Sequence, residues 1–407
     1  MLSKITCRLI ALLLLTSFCL VGCWDSEEIT SLAPVVAIGI DAGSEPNLMR
    51  ISAQMALPAA GGGGGAGSGA AHTRLRVLTV EAKSLTQAFA LLQSRTRRRH
   101  FFLHLNHVVF GAQLARHGLG RATEALQAWP QIRGSTLAFV SEETAEQVLH
   151  AHSGIGQDPG SDISHIIRSV SSAPVARKMT LNDMINALSS PGSTTLTLPI
   201  LGLRPLALTS GDENPAAGVG IDGEQYMEVQ LKGTALFERD RWVAELSVRE
   251  TQTLAVLVGA AKRGMSTMVN PENPEGKLAP QYERIRVSYR VNETAPGQLQ
   301  VVTRLRVDIR LVEIHGGYDP QLSDTAPIEA TVKQDITNRV SALFQKLQAH
   351  GLDSVNIGQR IKQQKPKLWR QLEADWLQIY PSVEFVVEAV PKVRNLGLIK
   401  NFYRLGE

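Results

Sequence analysis

Beyond position 23 this 407-residue chain contains no cysteine; all three, Cys7, Cys19 and Cys23, fall at the start. A body without thiols has no disulfide framework, no thiolate nucleophile and no cysteine ligand for a metal. Other catalytic signatures are missing too. There is no H-E-x-x-H, no G-x-S-x-G elbow and no Walker loop, since Gly276-Lys277 is followed by Leu278 where a phosphate loop needs Ser or Thr. A surplus of one charge is also lacking. The 42 Lys+Arg against 38 Asp+Glu leave +4, too little for a chain built to bind nucleic acid. The apolar run from Leu9 to Val21 falls short of the ~20 residues of a membrane-spanning helix.

What is present begins with that run. Lys4 and Arg8 supply a positive n-region, and the run closes on Leu20-Val21-Gly22-Cys23. This is the layout of a secretory leader ending in a lipobox. A small residue before the cut lets a peptidase approach the backbone, and the cysteine sulfur accepts a diacylglyceryl group as a thioether. Residues 1–22 are therefore expected to be a lipoprotein signal peptide, with Leu20, Val21 and Gly22 as the lipobox. Cys23 is the expected site of S-diacylglycerylation and N-acylation. Two acyl chains on one sulfur hold a protein stably at a bilayer. Removing Lys4 and Arg8 takes the charge from +4 to 4 − 2 = +2.

After a polar tether, Trp24 to Glu28, the patterning is that of a folded α+β chain. Leu32 to Ile40 reads as a buried strand, with Met49 to Leu57 as its hairpin partner and Leu75 to Val80 as a further strand. Gly61 to Ala71 is a low-complexity loop. Its Gly62, Gly64 and Gly67 match G-x-G-x-x-G, but a strand-like stretch follows where a dinucleotide site needs a helix. Ser84 opens a helix with Leu85, Phe89 and Leu92 on one face. Phe101 to Gly111 reads as one buried strand, and Leu119 to Trp129 as a helix. Ser141 is expected to cap another helix, with Glu142 and Glu143 in its first turn, and Thr180 with Asp183 forms a capping box.

Residues 206–225, rich in Gly, Pro, Asp and Asn, are expected to link an N-terminal α+β region (23–205, read as two subdomains) to a C-terminal α+β domain (226–402). Met227 to Phe237 and Arg241 to Leu246 form a hairpin turning at Arg239-Asp240. Two long strands then alternate strictly. Ile285, Val287, Tyr289 and Val291 oppose Arg284, Arg286 and Arg290; Val301 to Leu311 oppose Arg304, Arg306, Asp308 and Arg310. Such alternation means a sheet with one wet face. A long helix follows with Val332, Ile336, Val340, Phe344 and Leu347 on its core side. Another starts at Pro366 and buries Trp369, Leu372 and Trp376, and Val383 to Ala389 makes a last strand. The sum is a multi-domain α+β fold with mixed and antiparallel sheets packed against helices.

Candidate chemistry is thin. His100, His104 and His107 have helical metal-ligand spacing, but their Phe, Leu and Val neighbours favour a strand, which points His104 and His107 to opposite faces. No metal or cofactor is expected. The basic run Arg95, Arg97, Arg98 and Arg99 is placed to meet anionic headgroups if it lies near the anchor, or is a solvated helix end. The arginine faces of the two long strands are suited to an acidic partner, or are simply solvated.

Several segments together resemble the Ger(x)C family of spore germination lipoproteins. They are Gly22-Cys23-Trp24-Asp25 with Ile38-Gly39-Ile40-Asp41, Arg99 to His104 leading into Val108-Val109-Phe110-Gly111, Leu231 to Phe237 with Glu250-Thr251, and Lys367-Leu368-Trp369 with Trp376. The likeness spans about residues 1 to 402. The chain departs from it in the Gly-rich insert at 61–71, and in Asp353 to Gly358, where many members have a Gly-Phe-Gly-like turn. The resemblance implies three α+β domains and a place on the outer face of the spore inner membrane. It also implies a germinant receptor shared with integral-membrane A-type and B-type subunits. It carries over no catalytic residue; only Cys23 transfers, as the acylation site. The expected function is a non-enzymatic receptor subunit. The alternatives are a solute-binding lipoprotein with two parallel-sheet lobes around a cleft, and a secreted hydrolase needing paired acids or a metal.

Overall fold

The computed structural model describes residues 31–57, 74–151, 177–189, 195–205, 227–270, 273–295, 297–314 and 325–395. The leader, the lipobox, Cys23, the Gly-rich loop at 61–71 and the segment 206–225 lie outside the described residues.

The first half is built on one nine-stranded sheet. β1 (Leu32–Ala42) and β2 (Met49–Leu57) form the expected antiparallel pair, and β3 (Arg74–Ala82) lies outside β2. β5 (His107–Gly111), β6 (Leu137–Ser141) and β7 (Thr197–Pro205) continue from β1 as parallel neighbours. β8 (Met227–Glu238) and β9 (Arg241–Ser247) close the far edge antiparallel. The central strands are apolar on both faces because both are covered: Val108 and Phe110 enter one core, and Val109 enters the other. α1 (Leu85–Ser94) covers the first face with Leu85, Ala88, Phe89 and Leu92, and its N-cap Ser84 accepts from the Gln87 N–H. α2 (Ala112–His117), α3 (Gly120–Gln127) and α5 (Leu181–Ser189) add to the same layer, the last behind the expected Thr180–Asp183 box.

Two local expectations differ from the structure. The stretch from Phe101 to Gly111 is two strands, β4 (Arg99–Phe101) and β5, both parallel to β1 and separated by a turn in which the Leu105 N–H donates to the Phe102 carbonyl at 3.0 Å. The turn residues Phe102 and Leu105 are themselves buried, so hydrophobicity alone does not mark the break. Phe102 packs on Phe89 (ring centroids 4.4 Å), and Trp129 closes the cluster 4.7 Å from Phe89. Ser141 ends β6 rather than capping a helix. The cap of α4 (Ala145–His150) lies three residues later, at Thr144, which forms a full capping box with Gln147 and leaves Glu142 and Glu143 in the connection.

The second sheet has five strands: β10 (Gly264–Met265), β11 (Met268–Asn270), β12 (Asn273–Ala295), β13 (Gln298–Ile314) and β14 (Glu384–Asn395). β12 and β13 are antiparallel, and β14 lies parallel to β13 at the edge. One face is packed by α6 (Val248–Leu257) and by α7 (Ala326–Ala349), whose Val332, Ile336, Val340, Phe344 and Leu347 are all buried. The helix expected from Pro366 is interrupted. α9 (Pro366–Leu372) is followed by a 3₁₀ turn at Glu373–Asp375 and by α10 (Trp376–Ile379), with Trp369, Leu372 and Trp376 buried as expected. A short preceding helix, α8 (Ile357–Gln364), has no counterpart in the sequence reading.

The α+β, multi-domain class is what the fold displays. The sheets divide at Ser247: β8 and β9, which follow residues 206–225 in the chain, hydrogen-bond into the first sheet. A turn-rich composition marks any long connection, here the one joining two antiparallel neighbours. The halves also share a core, because Leu236 and Leu246 of β8 and β9 pack with Leu254 and Leu257 of α6 into the second hydrophobic cluster.

Candidate functional site

Two buried carboxylates organise the polar interior. Asp41, at the end of β1, accepts the Ala145 N–H at 2.7 Å and the Glu146 N–H at 3.1 Å, the unsatisfied donors of the first turn of α4. A Cβ on Gly111 would fall 1.8 Å from Asp41 Oδ1, and one on Gly39 would meet Ala145 Cβ at 3.0 Å. Gly39 and Asp41 of β1, Gly111 of β5 and Ala145 of α4 thus form one packing site from three places in the sequence. Burial pushes the Asp41 carboxyl up, against the pull of its two backbone donors.

Asp353, 1 % exposed, does the same for α8. It accepts the N–H groups of Ile357 (2.8 Å) and Gly358 (2.7 Å) and the indole N–H of Trp376 (3.1 Å), clamping α8 to α10. A Cβ on Gly358 would lie 2.8 Å from both Trp369 and Trp376. Arg360 stacks over the Tyr289 ring at 4.1 Å and donates to the Leu257 carbonyl. Burial pushes Asp353 up to about 6, with its three donors pulling the other way. The sequence marks Asp353 to Gly358 only as a departure from the family turn and assigns Asp353 no role. The available signal was an Asp just ahead of Ile357 and Ile361, an i, i+4 apolar pair.

The three histidines are not brought together. His104 is exposed at the turn between β4 and β5, His100 is buried beside Thr96, and His107 is buried in β5 edge-on to Phe139. Neither ring nitrogen of His107 has a hydrogen-bond partner, and burial holds its pKa down to about 4. Among the described residues no group of His, Cys, Asp and Glu side chains is arranged to hold a metal, and no helix is long and apolar enough to cross a membrane.

What remains is surface. Arg95, Arg97 and Arg99 are exposed, and the register Leu32↔Arg99 sets the run beside the start of β1. On the second sheet the alternation places a row of arginines on the uncovered face of β12 and β13. Arg304 pairs there with Glu388 (2.6 Å) and Arg394 with Asp308 (3.0 Å). A basin of about 640 Å³ opens there between Arg263, Arg284, Arg310 and Arg394. A second hollow of about 740 Å³ lies between the halves, bounded by Asp240 of the β8–β9 turn and by Leu352 and Leu377. The chemistry on offer is docking and charge pairing.

Comparison with known proteins agrees along the chain. Residues 25–203 match the family described as spore germination protein N-terminal domain, and residues 232–397 match spore germination B3/GerAC like, C-terminal. The chain is 24% identical to spore germination protein KC of Bacillus subtilis (strain 168), covering 97% of each protein. It is also 24% identical to putative spore germination protein YfkR of the same organism, with 95% of this chain and 96% of that one covered. In fold it is similar to the crystal structure of the GerBC protein, with a TM-score of 0.54 at 14% identity over 91% of this chain and all of that one. With both halves matched and the fold shared, the chain belongs to the Ger(x)C family of spore germination proteins.

Proposed function

We propose that this protein is a non-enzymatic, lipid-anchored subunit of a spore nutrient germinant receptor. In this reading Cys23 carries the acyl chains on the outer face of the spore inner membrane. The body works there with integral-membrane A-type and B-type subunits. The observation that carries the reading is the junction of two features: a family match that starts at residue 25, and a Leu-Val-Gly-Cys leader end directly before it. Anchoring confines the folded part to one surface and raises its effective concentration for membrane partners. The polar interior supports a role without chemistry of its own, since Asp41 and Asp353 spend their oxygens on helix N-termini.

The test is Cys23→Ala in the native cell. The variant is expected to leave the membrane fraction and to slow nutrient-triggered germination, and mass spectrometry of the wild-type protein should find a diacylglyceryl thioether on Cys23. Full membrane retention of the variant, or an unmodified thiol with the leader still attached, would refute the anchor.

A further inference from the structure

The uncovered face of the second sheet carries an electrostatic imbalance that folding does not explain. β12 and β13 are in register so that Arg286 lies directly opposite Arg306, with Val390 next in the row on β14. Like charges directly opposite one another destabilise a sheet. The usual remedy is a nearby carboxylate, and here the carboxylates are already engaged: Glu283 with Arg310, Asp308 with Arg394, Glu388 with Arg304, and Glu384 with the Gln300 amide. Among the described residues, Arg284, Arg286, Arg290 and Arg306 have no carboxylate within ion-pair distance. All four are exposed, and no helix of the described residues crosses them.

We propose that this face, centred on the Arg286–Arg306 pair, docks an acidic segment of a protein partner. Two features favour a protein over a lipid surface or a nucleic acid. Exposed aliphatic side chains share the face, Val390 at 49 % and Val312 at 41 %, and arginine beside apolar groups is the composition of a protein interface. The interlaced carboxylates would also be repelled by a continuous anionic surface, whereas discrete partner charges can match the alternation. The partner relieves the Arg286–Arg306 repulsion, so docking recovers a stability deficit of the free subunit.

The experiment uses the full-length protein in its native membrane, with Val390 replaced by a photo-crosslinking residue. Irradiation is expected to yield an adduct to a second protein through a peptide rich in Asp and Glu. The adduct should fall at least tenfold with Arg286→Glu plus Arg306→Glu and persist with Arg286→Lys plus Arg306→Lys. Single Arg306→Gln, purified, should unfold at a higher temperature than wild type in low salt, with the gain vanishing at high salt as screening takes over. Adducts to phospholipid alone, to a peptide without acidic residues, or unaffected by charge reversal would overturn the proposal. So would an Arg306→Gln variant no more stable than wild type. The role in germination is read separately from spores lacking the gene. Normal germination there defeats the receptor reading and leaves the crosslinking result standing on its own.

Discussion

His107 opens β5 with both ring nitrogens unpartnered, and Asp353 sits under α8 with three donors aimed at it. Burial favours the neutral form of each, with opposite consequences for pH. The His107 pKa falls from 6.5 to about 4. The unfolded chain therefore binds the extra proton between those values, and stability is full above 6.5 and lost as pH drops toward 4. The loss, 2.5 pH units, is about 3 kcal/mol. Replacing a buried polar group that has no partner by an apolar one costs little, so His107→Leu should keep the neutral-pH stability and flatten the acid limb of a denaturation-versus-pH series. Asp353 rises from 3.8 to about 6. Its contribution is full below 3.8 and is lost as pH rises through 6. Asp353→Asn turns one of the two accepting oxygens into an N–H₂ that faces a donor, Ile357 on one side or Gly358 and Trp376 on the other, and should cost about 1–3 kcal/mol near pH 4, with the deficit shrinking by pH 8. A constant deficit across that range would remove the titration from the account. Neither residue was legible as such. One sequence shows a histidine in an apolar run and an Asp before a turn; the donors and the missing partners come from segments far away in the chain.

At the scale of elements, the sequence was most informative where one periodicity ran unbroken. β12, β13 and α7 follow their alternation and heptad-like spacing closely. It was least informative where apolar residues fill a turn, as between β4 and β5, or where two capping candidates lie three residues apart, as Ser141 and Thr144 do. Thr144 satisfies the Gln147 N–H, and Gln147 returns the bond to the Thr144 N–H, so Thr144→Ala should cost about 1 kcal/mol while Ser141→Ala leaves the cap of α4 intact. Thermal midpoints of the two variants separate the assignments. Gly358 makes a sharper case. Its missing Cβ is the space that Trp369 and Trp376 occupy, so Gly358→Ala forces two buried indoles apart and should destabilise by about 1–3 kcal/mol, with a changed near-ultraviolet signal from the tryptophans.

For the whole molecule, the class and the family were readable from segments spread along the chain, but the course of the sheets was not. Composition located a long connection, whereas the sheet boundary is fixed by hydrogen bonds that β8 and β9 make across that connection. The shared core has an energetic consequence. Leu246 belongs to the first sheet by backbone and to the second cluster by side chain. Leu246→Ala should cost about 2–5 kcal/mol and lower the unfolding midpoints of both halves together. Trp242 reports on the first half, and Trp369 with Trp376 on the second. Two transitions moving independently in single-tryptophan variants would show that the clusters are uncoupled.

The position of β1 gives the sheet a mechanical character. β1 is an interior strand, held by β2 on one side and by β4 and β5 on the other. With the anchor proposed at Cys23, tension would reach β1 from its Leu32 end and run along this strand. The ladders on both sides then take the load in shear, many hydrogen bonds at once rather than one after another. A body held by an edge strand would peel under the same pull; the anchor proposed at Cys23 would hold this one by its middle.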